Sequence, residues 1–238
     1  MLTDLVTRRV LRRLHGHAGK INGASFGAAT DVLLSASYDG TVRVWDGRSR
    51  SRDPIQILGE AGDSVTAVEA PGGGGTRGDP SMGSGQILTA SVDGRLRTYD
   101  MRRGELRSDD LGEPITGMAL THDGKCIAAS CLDGTIRLLE RSSGELLQTY
   151  AGSHKAGNYE IGCAVTANDS LVISGSEDGA VSLYGLVEGT PARAPLRGHG
   201  KATCSVAAQP VTEKPCVIVS ASYDGQAAVW ADPADVML

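Results

Sequence analysis

What the sequence lacks narrows it first. Nowhere among its 238 residues does an apolar run approach the length needed to cross a bilayer as a helix. No two of its five cysteines (Cys126, Cys131, Cys163, Cys204 and Cys216) have Cys-x-x-Cys spacing, and none stands in a cluster of His or Cys. Zinc-ribbon and dithiol readings therefore have no support, and neither a cofactor nor a metal site is expected. The odd count, with Cys131 and Cys163 in apolar strand-like text, reads as reduced packing residues of an intracellular protein. Excess positive charge is missing too. The net charge is −5, which speaks against direct nucleic-acid binding or an anionic-membrane surface. What the chain does have is glycine, at 32 residues, and 40% hydrophobic residues, enough to form a core.

One phrase recurs five times: a short apolar run, a Ser-x-Asp-Gly turn (with Cys131 in place of the Ser in the third copy) and an alternating run. The copies are LLSASYDG (33–40), ILTASVDG (87–94), IAASCLDG (127–134), VISGSEDG (172–179) and VIVSASYDG (217–225). Their aspartates, Asp39, Asp93, Asp133, Asp178 and Asp224, are spaced by 54, 40, 45 and 46 residues. A Gly-rich insertion at 71–85, read as a flexible loop between the first and second strands of its unit, accounts for the long first interval. Within it Gly73, Gly75 and Gly78 match Gly-x-Gly-x-x-Gly, but without the strand and helix a nucleotide loop needs, and Arg77-Gly78-Asp79 is read as a chance tripeptide.

Each unit reads as four strands. In the first copy these are 21–26, 32–37, 41–45 and 54–58, with Asp39-Gly40 as a two-residue hairpin turn. Five units of about 40 residues define an all-β propeller, a single domain over 1–238 with five four-stranded blades. Arg9 to Leu14, rich in arginine, reads as the solvated edge of an outer strand rather than a transit peptide. Thr3-Asp4 reads as the end of a third strand before it. The last copy stops after its third strand at Trp230, and the N-terminal strand is expected to complete that blade.

Gly16-His17 opens the first unit and Trp45-Asp46 closes it; Gly198-His199 and Trp230 do so in the fifth, where Ala231 replaces the Asp. Here the text resembles the WD40 repeat family, whose members normally have seven blades, so two N-terminal blades would be absent. The resemblance implies a structural network joining His17, Asp39, Trp45 and either Ser35 or Ser37, and another joining His199, Asp224, Trp230 and either Ser220 or Ser222. These groups can satisfy one another when buried, so a catalytic role for the His-Asp-Ser set is not expected. The middle units carry Gly59-Glu60 with Tyr99-Asp100, Gly112-Glu113 with Leu139-Glu140, and Ser153-His154 with Tyr184-Gly185. They are expected to lack the full network and to lean on apolar packing.

The irregular text is informative as well. GHAGKIN (16–22), RVWDGRSRSRDPIQIL (43–58), SVDGRLRTYDMRRGEL (91–106), LDGTIRLLERSSGELLQTY (132–150) and SEDGAVSLYGLVEG (176–189) are similar, in order, to one branch of the WD40 family. That branch is known for scaffolds of mitogen-activated protein kinase cascades and for association with the spliceosome. The resemblance implies a non-catalytic adaptor in the cytoplasm and nucleus, monomeric within larger complexes, whose partners are proteins. The residue before each turn Asp is expected to point outward and meet partners: Tyr38, Val92, Leu132, Glu177 and Tyr223. A second reading is a substrate receptor of a cullin-type ubiquitin ligase, docking through Asp46 and Arg48 of Trp-Asp-x-Arg and through Asp100 and Arg102 of its weaker echo.

Overall fold

A computed structural model of the chain describes residues 1–27, 31–49, 51–72, 85–209 and 217–231. Apart from Pro71, Gly72 and Gly85, the insertion read over 71–85 lies outside the described residues, as does Cys216. All regular structure among the described residues is β. A short hairpin of Leu2–Thr3 (β1) and Val10–Arg12 (β2) precedes the blades. Blade one is Ile21–Phe26 (β3), Val32–Ser37 (β4), Val42–Asp46 (β5) and Gln56–Leu58 (β6). Blade two is Val65–Glu69 (β7), Gln86–Ser91 (β8), Arg95–Asp100 (β9) and Glu105–Asp110 (β10). Blade three is Ile115–Leu120 (β11), Cys126–Cys131 (β12), Ile136–Glu140 (β13) and Leu146–Tyr150 (β14). Blade four is Cys163–Val165 (β15), Leu171–Ser174 (β16), Ala180–Gly185 (β17) and Leu196–Arg197 (β18). Among the described residues blade five has three strands: Thr203–Ala208 (β19), Ile218–Ser222 (β20) and Ala227–Trp230 (β21). Every sheet pairs consecutive strands, antiparallel throughout.

The second and third strands are built alike because the repeated turn is built alike. In blade one Ser37 N–H bonds Thr41 O at 3.1 Å and Gly40 N–H bonds Ser37 O at 3.2 Å. The loop is therefore three residues long, not two, and only its glycine takes positive φ, from 76° at Gly40 to 81° at Gly225. This leaves the Asp backbone unstrained and its carboxylate free to accept Thr41 N–H at 3.0 Å.

The inner strands β3, β7 and β11 are bulged near their starts, and the bulges stitch the blades together. Asn22 Nδ2 donates to Val65 O at 2.9 Å, Thr66 Oγ1 to Ile115 O at 3.0 Å and Thr116 Oγ1 to Ile161 O at 2.8 Å. Between blades four and five the Gly162 N–H reaches Cys204 O at 2.9 Å. Apolar layers fill the spaces behind these seams. Leu34 and Val42 pack with Val65 and Ile87, and Leu88 and Leu96 with Ile115 and Ile127. Ile136 and Tyr150 pack with Val172 and Tyr184, and Ile173 and Leu183 with Val206 and Ile218.

The N-terminal strand does not complete blade five. β2 pairs with β1, its neighbour in sequence, as a third strand pairs with a fourth. The loop between them is closed locally: Asp4 N–H bonds Arg9 O at 2.9 Å, and the Asp4 carboxylate takes Val6 N–H at 2.9 Å and the Thr7 hydroxyl at 2.6 Å. Such a closure orders few residues, whereas joining β21 would bring together the two ends of the array. Arg12 also donates to Asp46 O at 3.0 Å, which ties the hairpin to blade one. Ile21 and Phe26 of blade one and Val219 and Val229 of blade five are exposed.

Candidate partner-binding face

The turns share one surface, and the polar groups that fix them lie just beneath it. In blade one His17 Nδ1 is 2.9 Å from Asp39 Oδ2, and His17 Nε2 is 2.8 Å from Ser35 Oγ. The Trp45 indole N–H donates to the same Ser35 oxygen at 2.9 Å. With Nδ1–H donating to the carboxylate, Nε2 accepts the Ser35 hydroxyl, whose oxygen still accepts the indole. Ser35, rather than Ser37, is thus the shared member. Burial alone would raise the Asp39 pKa; the hydrogen bonds from Thr41, His17 and the Ala18 N–H outweigh it and hold the carboxyl well below the usual range.

Blade five repeats the set. His199 Nε2 is 2.7 Å from Ser220 Oγ, to which Trp230 Nε1 donates at 2.8 Å. Its third leg is looser: His199 Nδ1 stands 3.3 Å from Asp224 Oδ2, outside hydrogen-bond alignment. Two such sets, each with its serine oxygen shared between imidazole and indole, are joints of the repeat rather than nucleophiles.

Blades two and three lack the full network, as their text suggested, but hold the turn with an ion pair as well as with apolar packing. An arginine on the third strand replaces the histidine. Arg97 donates to Asp93 Oδ2 at 2.6 Å and to Ser91 Oγ at 2.8 Å, and it is buried. Arg137 donates to Asp133 Oδ2 at 2.8 Å and also to Leu111 O. Burial would raise the Asp93 pKa, but the Arg97, Ser91 and Gly62 hydrogen bonds carry it well below the ordinary value. In blade four the buried His154 turns to Tyr184, its Nδ1 2.7 Å from the phenol oxygen, and burial lowers its pKa. The signal for Arg97 and Arg137 was present in the sequence, four residues after each turn Asp. In an alternating strand it passes for a surface position.

Above this layer two aromatic anchors stand clear. Tyr38 is 67% exposed and Tyr223 53% exposed. Val92, Leu132 and Glu177, expected to point outward as well, are half-buried. Val92 and Leu132 bury part of their apolar surface, while Glu177 is drawn into the opening loop of blade four. Its carboxylate accepts the N–H groups of Asn158 at 2.6 Å and Tyr159 at 3.0 Å. That contact positions a residue the repeat does not mark: the Tyr159 ring lies 5.4 Å, centroid to centroid, from that of Tyr223. Tyr223 also lines a central channel of about 330 Å³, whose wall includes Lys20, Asn22, Thr116, Gly162 and Glu69. Glu69 lies in that wall. Burial pushes its pKa up to about 7, against a hydrogen bond from the Leu120 N–H that lowers it.

The Trp-Asp-x-Arg residues sit elsewhere, at the ends of third strands. Asp46 accepts the Arg48 N–H at 2.7 Å, and the exposed Arg48 guanidinium pairs with Asp31 at 2.5 Å. Asp100 likewise accepts the Arg102 and Arg103 N–H groups, each at 3.0 Å. Among the described residues no three His, Cys, Asp or Glu side chains are grouped to hold a metal ion, and no helix is long and apolar enough to cross a membrane.

Repeated four-stranded blades, the His-Ser-Asp-Trp joints and the Asp-Gly turns define a WD40-repeat β-propeller. The model for the WD domain, G-beta repeat, matches residues 8–46, and that for the anaphase-promoting complex subunit 4 WD40 domain matches 84–167. A WD repeat domain-containing protein 83 homolog of Dictyostelium discoideum is 32% identical over 244 residues, 95% of this chain and 74% of that protein. WD repeat domain-containing protein 83 of Rattus norvegicus is 42% identical over 147 residues, 62% of this chain and 42% of its own length. The Homo sapiens protein is 40% identical over 186 residues, 78% and 53% respectively. The chain belongs to the WD repeat domain-containing protein 83 family. It spans about half the length of these two mammalian relatives.

Proposed function

We propose that the chain is a non-catalytic scaffold that holds kinase-cascade components and pre-mRNA splicing factors, working in both cytoplasm and nucleus. The observation that carries the binding role is the aromatic set Tyr38, Tyr159 and Tyr223 on the turn face. Rigid rings exposed over a fixed polar layer are effective interface anchors, because little side-chain freedom is lost when they are covered. The partner classes rest on the family resemblance.

Affinity purification of the 238-residue chain with mass spectrometry tests this. The unaltered chain recovers splicing and mitogen-activated protein kinase components, and Tyr38→Ala with Tyr223→Ala reduces their recovery at least about tenfold, the scale of losing one interface hot spot. Arg48→Ala with Arg102→Ala leaves recovery unchanged. Recovery of a cullin-ligase adaptor that this second pair abolishes would transfer the assignment to a substrate receptor. Recovery of neither partner class would remove the kinase and splicing assignment.

A further inference from the structure

Blades two, three and four turn from their third strand to their fourth in the same way. Gly104 N–H bonds Asp100 O at 2.8 Å, Gly144 N–H bonds Glu140 O at 2.8 Å and Gly189 N–H bonds Gly185 O at 3.0 Å. The three glycines take φ of 67°, 78° and 69°. The residue after the glycine lies across from the end of the third strand. Glu105 pairs with Asp100, Glu140 N–H reaches Glu145 O at 2.8 Å, and Gly185 N–H reaches Thr190 O at 3.0 Å. Two blades thus carry an exposed glutamate at this position, and blade four carries an exposed threonine. Pro191 comes next, and among the nine prolines of the chain it alone follows a serine or threonine. Proline offers no N–H to a ladder and turns the residue before it away from helical conformation. The outer strand of blade four is reduced to Leu196–Arg197, against six residues in blade two and five in blade three. Residues 190–194 are exposed without a break, held to β17 by the Gly185 bond and by Ala192 N–H to Leu183 O at 2.9 Å.

Among the described residues the Thr190 hydroxyl has no hydrogen-bond partner, and the exposed Arg193, three places further on, forms no ion pair. We propose that Thr190 is a phosphorylation site, the acceptor of a proline-directed kinase that also reads the cation of Arg193. Acceptor, proline and cation share one exposed segment, so the hydroxyl can reach a kinase-bound γ-phosphate without any part of the core opening. The kinase brings magnesium ATP. Thr190 Oγ1 attacks the γ-phosphorus, the bond from that phosphorus to the oxygen shared with the β-phosphate breaks, and the hydroxyl proton passes to the kinase's aspartate and then to water. The products are phosphothreonine, ADP and a proton. The fold accepts that product, because Glu105 and Glu145 hold permanent negative charge at the same step of blades two and three. Phosphate gives blade four about −1.5 to −2 charges there. The site lies at the far end of β17 from the Asp178-Gly179 turn, away from the aromatic turn face, so it does not rest on the scaffold reading.

The test incubates the purified 238-residue chain with magnesium ATP and a cyclin-dependent kinase, a class that selects proline after the acceptor and a basic residue three places on. Tandem mass spectrometry then maps the phosphate. The unaltered chain takes up about one phosphate, at Thr190. Thr190→Ala abolishes uptake. Pro191→Ala and Arg193→Ala each slow it at least about tenfold, the scale of one lost specificity contact. All three substitutions fall at exposed positions, and circular dichroism confirms that each variant is folded. A chain that takes up no phosphate while a control peptide is consumed overturns the inference, as does phosphate that survives Thr190→Ala. An unchanged rate in either the Pro191→Ala or the Arg193→Ala variant overturns it too, because Thr190 would then be modified without the recognition argued for it.

Discussion

At the scale of single residues, the joints of the turns concentrate the stability. Ser35 serves two buried donors and acceptors at once, whereas the Ser37 hydroxyl accepts only the Asp39 N–H, at 3.2 Å. Ser35→Ala therefore strands both His17 Nε2 and the Trp45 N–H and is expected to cost about 3 kcal/mol, while Ser37→Ala costs about 1 kcal/mol. Urea unfolding of the two variants separates these values, and equal losses would place the joint elsewhere. The sequence left the two serines undistinguished because they point to the same side of one strand, two residues apart. Their difference arises only from where His17 and Trp45 converge. Arg97 and Arg137 were illegible for a related reason: polarity on an alternating strand implies solvent until a carboxylate from the turn is seen to fold over it.

At the scale of the element, the blade was the most legible part of the chain. Strands β3 and β4 occupy the residues read for them, since apolar alternation and the Asp-Gly turn fix both ends. The turn itself shows how position in the array changes an identical element. Gly179 and Gly225 adopt φ of 79° and 81°, so either is strained as alanine by about 1–2 kcal/mol. A methyl at Gly179 would also meet His199 O at 2.5 Å, where the next blade's opening loop crosses, whereas at Gly225 it meets nothing within 4 Å. Gly225→Ala is thus expected to remain folded with only the conformational penalty. Gly179→Ala should cost at least twice as much, as read by denaturant midpoints at constant slope. The last strand was misread at this same scale. Strand order in a sheet depends on what else a segment can pair with, and β2 finds β1 within a few residues.

At the scale of the whole molecule, the channel adds a dependence on pH. The folded chain holds the Glu69 carboxyl protonated up to about 7, while the unfolded chain ionises it near 4.5. Between those values the native state binds the extra proton. Stability therefore falls as pH rises from 4.5 to about 7 and is level, for this group, beyond. Glu69→Gln should flatten that slope, and urea midpoints at pH 5 and pH 8 for both proteins would show it; an unchanged slope would assign the dependence to other groups. Blade number and order were readable from the repeat, because each blade carries its own copy of the turn.

The pairing of every strand with its neighbour in sequence has a consequence for how the protein comes into being. Among the described residues no sheet waits for a distant segment, so each blade can form as it leaves the ribosome, with loop closures that stay short for an all-β chain. A newly made blade then presents its forward face until the following one emerges, and synthesis itself becomes the period in which that face is open to a passing chain.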